Sequence, residues 1–548
     1  MPFLAEFGSA RERSQKSLDP RVPLPAARLL RYNRATRFPV PTPCPEAALR
    51  RHTVKILLLS MPDSFEHMPT VAVRMPNGGL TSIAGNVDQH HRVAIADLVL
   101  VQRRVREVLN RLLREFDPDL VGLSVMTFQR RTASRIVELL RAWKPTVHIV
   151  AGGYDPSLAA DAYQGMALDF IVRGEGDLTF RELVRALESG SDFDSICGLS
   201  YREQELWHHN PDRTVRGLED GEIRLPNRAA RVLKGYTLLG RPVDVVETSR
   251  GCTYDCSFCS IIEMRGRNFH TYTFQRVLDD IRDARDRGAK TIFLVDDNIM
   301  LNVRRFEGLC RAIIDAGLNG LDYFVQAMTS PIATHGERLA PLMRQAGFRY
   351  VFLGIENILE NDLEFLRAAA KNTARENGQP EGNATLRAID CLHRNGLYVV
   401  GGLIVGNPDD TRESIEANLQ FAREYVDWPY IQHPTPYPRT PMTKDFRTGG
   451  LITNERLEEY DGTTAVVRTQ HMQAEEVEFL RWKAERWMKV RHMPVAFRHD
   501  PWFILSHAPQ MMAHTFRGSS LRSLLGWEDE RTTFQRYKAI RRQEREYV

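Results

Sequence analysis

Two successive series of apolar runs alternating with amphipathic stretches, followed by a helical tail, predict an α/β protein with two sheets. The first series predicts a doubly wound parallel sheet, and the second a partial parallel barrel of six strands. Three observations carry this. Short apolar runs such as "VKILLLS" and "DLVGLSVM" recur with helical periods between them. Glycines and polar residues gather where those runs end. Past residue 446 the period turns helical.

Length allows two to four domains, since the chain has 548 residues. Residues 1–50 are rich in Pro and Arg and read as an extended arm. The first αβ series occupies 51–192. Its strands are "VKILLLS" from Val54, "VAIADLVLV" from Val93, "DLVGLSVM", "VHIVAGG" and "DFIVRGEGD". Several end in small or polar residues: Ser124 and Thr127, Gly152 and Gly153, Gly174 and Glu175. Open α/β sheets bind ligands beyond the carboxyl ends of their strands, and glycine admits a bulky ligand to the backbone. The same glycines suit ordinary turns, and spacing alone does not separate the two.

Residues 193–236 read as a linker with a hairpin in "GLSYREQELWHH". The second series, 237–445, runs "VDVVETS", "TIFLVDDN", "LDYFVQAM", "RYVFLGIEN", "YVVGGLIVGN" and "YIQHPTPYP". Barrels of this kind place their chemistry at the strand C-termini. In 446–548, "AEEVEFLRWKAERWMKVRHM" predicts a long amphipathic helix. "FILSHAPQMMAHTF" reads as core, with the option of covering the barrel mouth. The final "QRYKAIRRQEREYV" reads as a solvated basic helix face.

The charge balance, 74 basic against 70 acidic residues, gives no nucleic-acid footprint. No apolar run is long enough to cross a bilayer, and the N-terminus lacks the apolar core of a secretion signal, so a cytoplasmic location is expected. Seven cysteines, three of them clustered, make a poor disulfide framework.

That cluster is "SRGCTYDCSFCSI", a C-x3-C-x2-C run of Cys252, Cys256 and Cys259 in the loop after the first strand of the second series. Thiolates suit zinc or iron–sulfur clusters. Structural zinc wants four ligands, and the next histidine, His270, lies eleven residues on. A disulfide would leave one thiol over. Three cysteines on a four-iron cluster leave one iron open.

With Phe258 before the third cysteine, this run resembles the signature of the radical S-adenosylmethionine (SAM) superfamily. The resemblance implies a 4Fe-4S cluster on Cys252, Cys256 and Cys259, whose open iron chelates SAM and yields a 5′-deoxyadenosyl radical. It implies SAM-binding roles for Phe258, for Asp296 and Asp297 after strand two, for Gln326 after strand three and for Glu356 after strand four. On strand five "GLIVGNPDD" is similar to the family's adenine motif, with Gly402, Ile404, Gly406 and Asp410.

An αβ unit before such a barrel resembles the cobalamin-binding subgroup, with a Rossmann-like domain. "GLSVMT", "VAGGYDP" and "VRGEGD" are similar to its strand-end motifs. Cobalamin would lie over Ser124, Thr127, Gly152, Gly153, Gly174 and Glu175. "DQHHRV" lacks the glycine of the D-x-H-x-x-G cobalt-ligating motif and falls before strand two, so His90 and His91 read as surface residues. Arg74 or Met75, in the loop after strand one, are candidates for the cobalt's lower face. Tyr437 and Arg439 suit a turn or a substrate contact. The resemblance implies a cobalamin-dependent radical SAM enzyme that C-methylates an unactivated carbon of a small-molecule substrate through methylcobalamin. A non-methylating cyclisation or rearrangement is the alternative, and a non-catalytic cobalamin- or SAM-binding protein a further one. A reducing partner such as flavodoxin or ferredoxin is expected.

Overall fold

The computed structural model describes residues 53–65, 69–214, 217–376 and 379–548; the expected arm at 1–50, with Cys44, lies outside them. The first sheet is built on Lys55–Ser60, whose neighbours are Arg92–Asp97 on one side and Leu120–Ser124 on the other. His148–Gly152 and Phe170–Val172 continue it in parallel. The strands are apolar throughout because both faces are covered. Leu57 and Leu59 pack under the helices Val105–Phe116 and Arg130–Trp143, while Ile56 and Leu58 pack under Gly78–Asn86 and Gly176–Ser189. The sheet reverses direction of growth at Lys55–Ser60, which opens a crevice at its carboxyl edge.

Two local expectations shift. The run from Val93 stays extended only to Asp97, whose buried carboxylate accepts from Tyr236 Oη at 2.6 Å. The hairpin expected in the linker belongs to the first sheet, where Leu199–Glu203 pairs antiparallel with Phe170–Val172 and Leu206–His209 forms the edge.

The second sheet takes its six parallel strands in sequence order: Arg241–Val246, Thr291–Leu294, Asp322–Met328, Phe348–Glu356, Tyr398–Ile404 and Trp428–Gln432. Crossover helices cover its outer face, with Val325, Val351 and Val399 in that core. Beyond the first strand, Thr237–Leu238 pairs antiparallel, and Val73–Arg74 pairs with Thr237–Leu238 in turn. The loop after the first strand of sheet one is therefore a strand of sheet two.

The C-terminal region carries the helices Ala474–His499, Pro501–Thr515 and Glu530–Glu544. The second of these does not cover the barrel mouth. Its Phe503 and Ile504 pack with Tyr350, Tyr398 and Trp428, and the last two are the first residues of their strands. The helix thus closes the end opposite the cysteine loop, tied by Tyr350 Oη to Asp500 Oδ2 at 2.7 Å. The mouth side is covered instead by Met442, Phe446, Val466 and Val467. The last helix is not merely solvated: Phe534, Tyr537 and Arg541 are buried, and Arg541 and Arg545 both pair with the buried Asp461.

Candidate functional site

The cysteine loop leaves the first barrel strand as a small hairpin, Ser249–Arg250 against His270–Thr271. Gly251 is forced at φ 91°, where a Cβ would stand 2.5 Å from the backbone oxygen of Asn268. Cys259 N donates to Cys256 O at 3.1 Å, closing a turn. Ser257 pins the loop by donating from N to Leu366 O at 3.0 Å and accepting at O from Met442 N at 2.9 Å. Burial pushes the Cys256 thiol up to about 11 and the Cys259 thiol up to about 12.

The ends of the later strands converge on this loop. Asp296 accepts from Thr248 N at 2.7 Å and from the hydroxyls of Thr248 and Ser249 at 2.5 Å each. Asp297 Oδ2 accepts from Gly251 N at 2.8 Å. Asn298 Nδ2 lies 3.3 Å from Cys252 Sγ and 3.4 Å from Met328 Sδ. Glu356, at φ 59° beside a register shift, pairs with Lys371 Nζ at 2.7 Å. The Glu356 carboxylate, with Cys256 and Cys259 near it, raises the Lys371 ammonium against the opposing cost of burial. Lys371 also stands 5.7 Å from the ring centre of Phe258. Asp410 Oδ2 receives Gly406 N at 2.7 Å and Asn407 N at 2.9 Å.

A cavity of about 430 Å³ lies at the carboxyl ends of the first sheet. Seven glycines wall it, Gly152, Gly153 and Gly174 among them, with Ser124 and Glu175. It reaches the barrel at Arg250, Arg265 and Asp297. A second cavity, about 570 Å³, fills the barrel between Gln326, Phe352 and Tyr430 and the closing helix. The two share Met75, Pro76, Asn77, Ser124, Met126 and Phe293. Glu175 and Asp177 cross from the first sheet to the cysteine loop: Arg250 Nη1 meets Asp177 Oδ2 at 2.7 Å, and Arg265 Nη1 meets Glu175 Oε1 at 2.6 Å.

Not every expected residue faces these spaces. Thr127 turns away, donating to Asp155 Oδ1 at 2.9 Å within a buried set with Arg130 and Tyr163. Gly402 admits no ligand from the barrel side, because a Cβ there would lie 2.7 Å from Phe352 Cζ. Ile404 is buried in the cluster with Met442 and Phe446. Asp296 clamps the first strand's end through all its contacts. Met75 lines both cavities, whereas Arg74 Nε is spent on Thr70 O at 2.9 Å. Tyr437 donates to Tyr460 O at 3.1 Å, and Arg439 holds a turn at φ 63°. His91 is buried, not a surface residue. Among the described residues His90, His91 and Glu188 form a group compact enough for one ion, but Val54 N donates into His91 Nδ1 at 3.2 Å. That leaves the neutral ring's proton on Nε2, where a ligand would need a lone pair. Sequence spacing carried no signal for Lys371, Arg250 or Arg265.

The donor set fits a cluster better than one ion. A tetrahedral ion with sulfur at about 2.3 Å would draw its thiolates within about 4 Å of each other. Among the described residues the sulfurs of Cys252, Cys256 and Cys259 do not all lie within 4.8 Å of one another. Asn298 and Lys371 supply a hydrogen bond and a positive charge to the thiolates. A glycine-walled cavity at a strand switch suits a large planar ligand.

The Radical SAM superfamily model matches residues 246–422, and the B12 binding domain model matches residues 67–184. An uncharacterized methyltransferase of Pyrococcus horikoshii is 29% identical over 79% of this chain and 91% of its own length. The radical SAM methyltransferase TsrM of Kitasatospora setae, solved with cobalamin and a 4Fe-4S cluster, shares the fold at TM-score 0.58, with 20% identity over 72% of this chain and 75% of that one. The cobalamin-dependent radical enzyme OxsB, with aqua-cobalamin and SAM bound, does so at TM-score 0.61, with 14% identity over 90% of this chain and 80% of that one. A B12 binding domain and a Radical SAM domain are thus both found in this chain, which is a radical SAM enzyme. Its cofactors are a 4Fe-4S cluster, SAM and cobalamin.

Proposed function

We propose that the protein methylates an unactivated carbon of a small-molecule substrate. The observation that carries this reading is that the glycine-walled cavity and the barrel cavity adjoin, with Met75, Asn77 and Phe293 in the wall of both. Its likeness to a methyltransferase over most of both chains supports the transfer of a methyl group. When bound, the cluster and SAM supply a 5′-deoxyadenosyl radical, and the corrinoid supplies the methyl group.

The chain's own residues then have these parts. Cys252, Cys256 and Cys259 hold the cluster, with Lys371 offsetting their charge and Asn298 bonded to Cys252. Asp297, Glu356, Phe258 and the Gly406 turn surround the SAM site. Ser124, Gly152, Gly153, Gly174 and Glu175 line the corrinoid space. Gln326, Phe352 and Tyr430 form the substrate's wall, where the edge-to-face pair of Phe352 and Tyr430, ring centres 5.2 Å apart, excludes water from a reactive radical. A low-potential electron donor of the flavodoxin or ferredoxin kind reduces the cluster.

The test is anaerobic turnover of the reconstituted, reduced protein with SAM. Methyl transfer yields S-adenosylhomocysteine together with 5′-deoxyadenosine. 5′-Deoxyadenosine alone would replace this reading with a cyclisation or rearrangement, and no SAM cleavage would leave a binding protein.

A further inference from the structure

The C-terminal helices expose a run of large apolar side chains. On Ala474–His499, Trp487, Val490, Pro494 and Phe497 recur at three- and four-residue spacing, which puts them on one face. Trp502, Leu505, Pro509 and Met512 form the same kind of stripe on Pro501–Thr515. The two helices join where Trp487 meets Phe516, ring centres 5.8 Å apart. Leu521, Leu524, Leu525 and Trp527 follow at once. Trp502 is 80% exposed, and Leu521 and Trp527 are each 74% exposed.

Pro501–Thr515 is apolar on both faces. Phe503, Ile504 and Met511 line the barrel cavity, while Trp502, Leu505 and Met512 point outward. A helix with large apolar side chains on its outward side as well as its inward one, its exposed polar residues being Ser506 and Gln510, belongs in a core or against lipid. No helix among the described residues is long and apolar enough to cross a membrane. The fitting arrangement is a helix lying in the plane of a bilayer surface, with tryptophans at headgroup depth.

Charge decides between the occupants. From Trp487 to Trp527 there are five Lys or Arg residues and a single carboxylate, Asp500. Asp500 is buried and bonded to Tyr350. Arg491, Arg498 and Arg522 are exposed among the apolar side chains. Lys489 and Arg517 pair within the chain with Glu485 and Glu544, and the carboxylates of Glu528, Asp529 and Glu530 begin only past Trp527; a second copy would add the same three exposed arginines, Arg491, Arg498 and Arg522, to the face. An anionic lipid surface receives both the cations and the apolar side chains.

We propose that this face docks the protein on the surface of an anionic bilayer. The residues that make the contact lie outside both cavities, so docking and chemistry separate experimentally. The holoenzyme is sedimented with vesicles of phosphatidylglycerol and phosphatidylcholine, and with phosphatidylcholine vesicles alone. Binding is expected to the first, weakening as salt rises. The triple variant Trp502→Ser, Leu505→Ser, Trp527→Ser lowers that binding by at least about tenfold. The triple variant Arg491→Glu, Arg498→Glu, Arg522→Glu does the same, by at least about tenfold. Both variants should keep SAM cleavage in solution, which verifies that they fold and hold their cofactors. Absence of vesicle binding by the intact holoenzyme overturns the proposal. So does binding that neither variant changes, or a dimer that forms through this face and ignores vesicles. Vesicle binding without SAM cleavage would overturn the enzymatic reading and leave the docking intact.

Discussion

Lys371 Nζ lies 2.7 Å from Glu356 Oε1, both side chains largely buried, with the Phe258 ring and the cysteine loop beside them. The charge of that ammonium reaches the Cys256 and Cys259 thiols. Lys371→Met should sharply lower iron and sulfide bound per chain after reconstitution, read by metal assay and visible absorbance. It should also cost about 3 kcal/mol of stability by leaving Glu356 unpaired. Adding Glu356→Gln should restore the stability and leave cluster content low.

Gly152 has room where its side chain would be, its nearest neighbour being Val172 O at 3.5 Å. Gly152→Phe should therefore fold, fill the space at the strand ends and abolish corrinoid uptake. Iron content should stay that of the parent. Corrinoid is read by absorbance after cyanide extraction, and Gly152→Ala should retain most of it.

Arg250 and Asp177 tie the first sheet to the cysteine loop at 2.7 Å, with both side chains buried. Asp177→Asn should destabilise the protein by about 2 kcal/mol, because the buried Arg250 keeps Glu247, also at 2.7 Å, but loses a charged hydrogen bond to the first sheet. Urea denaturation followed by tryptophan fluorescence measures the loss. A broadened or two-step transition is expected, since the two sheets would come apart more independently.

Burial pushes the Asp296 carboxyl up to about 7, against 3.8 for a free one. The folded protein thus holds a proton that the unfolded chain has released. Raising pH favours the unfolded side across that interval, by up to about 1.4 kcal/mol per pH unit. Asp296 should make thermal stability fall from about pH 4 to pH 7, and its contribution should be fully present below that window. Asp296→Asn, which keeps an acceptor for Thr248 N, should flatten the profile recorded by differential scanning fluorimetry.

What the sequence made legible was local. The C-x3-C-x2-C run, the apolar strands and the glycines at their ends are patterns over a few neighbouring residues, and period and spacing report them. Lys371 was silent because its partner is a strand-end carboxylate fifteen positions earlier, with no pattern between. Thr127 misled because a hydroxyl after a strand is equally a ligand or a helix start, and the Asp155 that claims it lies in the next αβ unit. The linker hairpin looked independent because edge strands alternate only weakly; its register is set by Phe170 and Tyr201, which pair across the sheet. Gly402 matched a motif while Phe352, on the neighbouring strand, occupied its space.

Val73–Arg74 leaves the first sheet's leading strand and is stitched beside Thr237–Leu238 on the second. The chain crosses between the two halves there long before the linker is reached. Cutting at that linker would therefore not release two intact modules: the barrel half would lose its edge strand, and the other half would trail an unpaired one. Neither half carries all the strands it needs, so a truncation at the linker should cost both halves their stability.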